Sequence, residues 1–152
     1  MALNDFAKNT KVSMDSSRAE LERLLRRAGA TKTMTGWDGN TAFVAFVLEG
    51  VPIRQKVTMP SRESFSKTGQ GRDRRQEAAL RAWEQGCRQR MREFVQLLKA
   101  KLIGVSIGLR TIEHEFFSDI CLPTGQTVFE QQAEELHTAM AAGRMPKMLL
   151  GI

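Results

Sequence analysis

With 152 residues, 41% apolar and 26% charged, the chain has the size of one domain and the composition of a chain that buries a core. It holds no apolar run long enough to span a membrane and no signal-peptide segment near its start, so a cytoplasmic protein without a membrane partner is expected. The net charge of +6 is uneven: residues 1–53 carry 7 basic and 6 acidic groups, 54–101 carry 13 and 5, and 102–152 carry 3 and 6. A surplus confined to the middle third points to a polyanion or an acidic protein surface as partner. Cys87 and Cys121 are far apart and read as reduced thiols.

Residues 1–14 show no period and are expected to be a loose arm. A helix follows, with Ser17 and Glu20 spaced as a capping box, Leu21, Leu24, Leu25 and Ala28 on its buried face, and Gly29 just past its end. Three strands are expected next. The first covers about 31–37 and turns at Asp38-Gly39, a type I′ hairpin signal. The second, 41–48, is almost wholly apolar and belongs at the sheet centre or under cover on both faces. The third, 51–59, follows the Glu49-Gly50 turn. It alternates Val51, Ile53, Val57 and Met59 with Arg54, Lys56 and Thr58, and Pro52 marks it as an edge strand.

Residues 61–71 are polar and expected to be a mobile loop. Then Ala79, Trp83, Cys87, Met91, Phe94, Leu98 and Leu102 recur at steps of three or four, one stripe of a helix over about 72–102. Gly86 inside it marks either close packing or a bend. Thr111 is a candidate cap for a short helix carrying Ile112, Phe116, Phe117 and Ile120. A turn at Leu122-Pro123-Thr124-Gly125 comes next. Thr127 with Glu130 then opens a last helix, with Phe129, Ala133, Leu136 and Met140 as its stripe and Gly143 and Pro146 at its end. The apolar tail 148–152 is expected to dock on the core. The fold class is thus α+β: a helix, a three-stranded antiparallel meander, a long central helix and a small helical C-terminal part. It is read as one domain, with a core at 16–102 and an extension at 110–152.

Two resemblances follow from these residues. The helix–meander–helix order, with Gly69-Gln70-Gly71-Arg72-Asp73-Arg74-Arg75 ahead of Ala78-Ala79, is similar over 16–85 to the double-stranded-RNA-binding domain. Across the whole chain, passages such as Leu24-Leu25-Arg26-Arg27-Ala28-Gly29-Ala30, Met59-Pro60-Ser61-Arg62-Glu63 and Leu122-Pro123-Thr124-Gly125-Gln126-Thr127-Val128 resemble a family of small uncharacterised proteins of tailed phages and prophages. That second resemblance implies the cytoplasm of an infected bacterium and carries over no catalytic residue.

No Ser/His/Asp grouping, Walker loop or CxxC pair is present. His114 and His137, the two histidines, lack the spacing of a zinc helix, so no metal, no cofactor and no enzymatic activity are expected. The candidate site is instead a basic one. Arg54, Lys56, Arg62, Lys67, Arg72, Arg74, Arg75 and Arg81 are candidate phosphate contacts. Gly69 and Gly71 would let backbone approach a phosphate, and Trp37 is a candidate stacking platform. Two functions fit: a non-enzymatic DNA- or RNA-binding protein, or a phage inhibitor that occupies a host defence or nucleic-acid-processing protein.

Overall fold

The computed structural model describes residues 7–144. The fold is α+β. Helix α1 (Met14–Arg27) leads into strands β1 (Thr31–Asp38), β2 (Thr41–Leu48) and β3 (Val51–Thr58). A long helix α2 (Gln76–Ser106), a short α3 (Ile112–Phe116) and α4 (Val128–Ala141) follow. The sheet is an antiparallel meander in the order β1-β2-β3. No helix among the described residues is long and apolar enough to cross a membrane.

Helix α1 starts one turn before the expected cap. Ser13, not Ser17, accepts the Ser16 N–H at 3.1 Å. The extra turn brings Met14 against the core and buries Ser17 completely. Gly29 ends the helix at φ 81°, and Ala30 N–H donates back to Leu25 O. The first hairpin also differs from expectation. Asp38 still pairs with Thr41, so the turn residues are Gly39-Asn40. Only Gly39 has positive φ, as a II′ turn requires, in place of the I′ turn read from Asp38-Gly39.

Strand β2 is central, and its alternate residues diverge. Ala42, Val44, Phe46 and Leu48 are buried, while Thr41, Phe43, Ala45 and Val47 on the opposite face are half-buried. Phe43 lies over Gly36 of β1, where an added Cβ would sit 2.6 Å from the ring. On the core side the sheet meets Leu21 and Leu25 of α1. It also meets Met91, Phe94, Val95, Leu98 and Leu102 of α2, and Ile112 and Phe116 of α3. Phe46 and Phe116 meet edge to face, 5.9 Å between centroids. The expected α2 stripe is therefore right from Cys87 onward; Ala79 and Trp83 are only half-buried.

The C-terminal part follows its cap residues. Thr111 caps α3, and Thr127 with Glu130 forms the capping box of α4. Gly125 N–H closes the 122–125 turn on Leu122 O. The expected α4 stripe fails in part: Phe129 and Met140 are 50% and 66% exposed, and Ala139 is the buried residue. Helix α4 packs on the 117–119 turn, and of the expected stripe Ala133 and Leu136 are half-buried. Pro146 and the 148–152 tail lie outside the described residues. The arm is not loose where it is described, because Gln85 Nε2 donates to both Lys8 O and Thr10 O.

Candidate nucleic-acid interface

The expected mobile loop, 61–71, is instead closed on itself together with the residues up to Arg74. Gly71 N–H donates to Thr68 O, Thr68 N–H to Arg72 O, Arg72 N–H to Thr68 Oγ1 and Arg74 N–H to Ser66 O. Lys67 and Asp73 form an isolated antiparallel bridge. The closed loop is then docked on α2 at two points. Phe65 packs on Gly86, where a Cβ would come within 2.5 Å of the ring edge. Trp83 Nε1 donates to Pro60 O at 2.9 Å. Gly86 is thus a close-packing position, the first of its two sequence readings.

This closure changes the roles expected around the helix start. Helix α2 begins at Gln76, so Arg72 and Arg74 precede it and Arg75 is its N-cap, with no side-chain cap bond. The Gly71, Arg72 and Arg74 N–H groups are already donated within the loop, so Gly69 and Gly71 form a loop tip, not a phosphate cradle at a helix start. Arg74 is half-buried and structural: Nη1 donates to Phe65 O at 3.1 Å. Arg62, Lys67, Arg72, Arg75 and Arg81 remain exposed, and none takes part in an ion pair among the described residues. Arg62 also lies 4.5 Å from the centroid of the Trp83 ring.

Arg54 and Lys56 do not join this group. Arg54 Nη2 donates to Glu130 Oε2 and Lys56 Nζ to Glu130 Oε1, each at 2.6 Å. The same carboxylate accepts the Thr127 N–H that completes the α4 capping box. The Lys56 hydrogen bond, then the Thr127 N–H and the Arg54 charge, pull the Glu130 carboxyl from 4.5 down to about 2. One residue thus ties α4 to β3 and uses up both strand cations. The sequence exposed Glu130 as a cap, but nothing in its spacing linked it to residues more than seventy positions away.

Trp37 stands cross-strand from the buried Ala42, which puts it on the core side of the sheet at the hairpin end. It is nevertheless 52% exposed. It lines a cavity of about 80 Å³ with Met14, Leu21, Met91 and Phe94. On another side it lines a cleft of about 420 Å³ with Met59, Trp83, Cys87 and Asn40. The second space continues into an open polar groove of about 470 Å³ at Lys11, Gln85 and Arg88, with Ser13 and Arg88 common to both. Sequence reasoning missed Lys11, Asn40 and Arg88, because only the pinned arm and the hairpin turn bring them to one place.

Other chemistry is sparse. Burial raises the Cys87 and Cys121 thiols above their ordinary value. Among the described residues, no three His, Cys, Asp or Glu side chains gather where they could hold a metal ion. His114 is engaged in the α3 cap, its N–H donating to Thr111 Oγ1. Compared with family models, curated proteins and solved structures, the chain matches none of them.

Proposed function

We propose that the protein binds nucleic acid and performs no catalysis on it. The observation that carries this reading is the set Lys67, Arg72, Arg75 and Arg81, with Arg62 beside them. All are exposed cations outside any ion pair among the described residues, and all sit on the closed loop or the first turns of α2. Unpaired cations on one face repel one another, and phosphates relieve that repulsion while releasing their own counterions. The loop is held by its own backbone bonds, so binding orders little further chain. Contacts of this kind position a backbone without reading its sequence. A phage setting and a cytoplasmic location belong to this proposal and rest on resemblance alone.

Fluorescence-anisotropy titration with single- and double-stranded oligonucleotides, at two salt concentrations, tests it. Replacing Lys67, Arg72, Arg75 and Arg81 by Ala should weaken binding equally across sequences. The salt dependence should flatten by up to about four phosphate contacts, with the thermal midpoint little changed. Unaltered affinity and slope would refute the assignment.

A second reading, a protein-interaction module that occupies a host protein, is favoured by a different observation. Leu97, Ile103, Ile107 and Leu109, at the far end of α2, are 48–73% exposed. Apolar residues clustered on a surface mark contact sites between proteins. Co-purification of a host nucleic-acid enzyme, lost on replacing Leu97 and Ile107 by Ser, would support it over the first.

A further inference from the structure

We infer that the cleft between Trp37 and Trp83 takes one unstacked nucleobase of a single strand, with its phosphate held at Lys11 and Arg88. This rests on the nucleic-acid reading above and gives it a strand preference.

The cleft has two chemically distinct ends. Its inner part is walled by Met14, Trp37, Met59, Trp83 and Cys87. Its volume of about 420 Å³ lies within the ~300–1,000 Å³ range of small-molecule sites. Trp83 is fixed in place by Pro60 O and by the Arg62 guanidinium. Trp37 keeps half its surface free beside the same space. A planar, uncharged ring system is the group such walls accept, and base–aromatic stacking tolerates any base.

The polar groups then orient the ligand. Glu84 stands at the cleft and opposes a phosphate inside it. Asn40 Nδ2 donates to Met59 O at 2.7 Å, which leaves its Oδ1 as an acceptor. Both groups can take hydrogen bonds from a base edge. Lys11 and Arg88 line the open groove that continues from the cleft, and neither is in an ion pair among the described residues. Arg88 is held by two bonds to Gln85 Oε1, at 3.1 and 2.7 Å. Gln85 in turn pins the arm that carries Lys11. An apolar slot beside a basic groove is the pairing that single-strand binders use. A duplex hides its bases in the stack and cannot fill the slot.

The test uses the full chain, short single-stranded and duplex oligonucleotides, and adenosine monophosphate. Single strands and the mononucleotide should both quench indole emission. Trp37→Ala should weaken single-strand binding on the order of five- to a hundredfold, the range seen on removing a stacking residue. Duplex binding and the salt slope should not move, and Trp37→Phe should restore most of the loss. An unchanged thermal midpoint of Trp37→Ala keeps the comparison valid; if that variant unfolds, Lys11→Ala with Arg88→Ala should weaken single strands alone. Single-strand affinity unmoved by these replacements, in a protein that still binds duplex, overturns this inference and leaves the wider reading intact. A wild-type protein that binds no oligonucleotide overturns both. Mononucleotide binding without oligonucleotide binding also overturns it, and assigns the cleft to a free nucleotide.

Discussion

Glu130→Gln isolates the junction between α4 and β3. The native carboxylate accepts from Arg54, Lys56 and Thr127 N–H, and its ionisation midpoint falls from 4.5 to about 2. At ~1.36 kcal/mol per tenfold change, that displacement has a ceiling of roughly 3 kcal/mol. The Arg54, Lys56 and Glu130 side chains remain 26%, 49% and 30% exposed, so solvent screening brings the expected value to about 1–2 kcal/mol. The folded midpoint is depressed, so the contribution is fully present above pH 4.5 and is lost as pH falls through about 2. Glutamine keeps an acceptor for the Thr127 N–H but carries no charge. Urea unfolding near neutral pH should show the variant weaker by about 1–2 kcal/mol, or roughly 2–8 °C in thermal midpoint. The gap should close when both proteins are measured near pH 2. A gap that stays constant with pH, or no gap at neutrality, would refute the electrostatic account.

Phe94 is 8% exposed in the centre of the α2 stripe, so Phe94→Ala should cost about 3–5 kcal/mol in urea unfolding. An unchanged midpoint would remove Phe94 from the core. Gly86→Ala places a Cβ where the Phe65 ring edge lies and should lift the loop from α2. Limited trypsin digestion should then cut faster at Lys67 and Arg72, even though alanine favours the helix by ~1 kcal/mol. Equal cleavage rates would show that the ring yields without releasing the loop.

Most of the fold was legible because its signals are local. The apolar steps from Cys87 to Leu102, the Thr127/Glu130 capping box and the Gly29 and Gly143 helix ends each need only a few neighbouring residues to be read. Errors arose where several local solutions compete. Ser13 and Ser17 can both cap α1, and burial of Met14 decides between them. Asp38-Gly39 and Gly39-Asn40 both make two-residue turns, and the strand register chooses the second. The site was read less well, for a related reason. Charge alone cannot separate Arg62 or Arg72 from Arg54 and Lys56, whose partner Glu130 is brought to them by the fold. The same holds for the closed loop, whose bonds run between Ser66, Thr68, Arg72 and Arg74, residues that carry no strand pattern.

The β3 edge has a consequence for what the protein does in acid. An unpaired strand edge is a template on which another chain can add. Here the segment after α3 lies along it, with Ile120 bridged to Ile53 and Cys121 N–H donating to Pro52 O at 2.9 Å. The same segment runs on into the turn that Glu130 anchors. Protonating that one carboxylate, as pH falls through about 2, therefore loosens the cover of the edge. Self-association near pH 2, growing from β3 outward, is the failure to which this architecture is exposed.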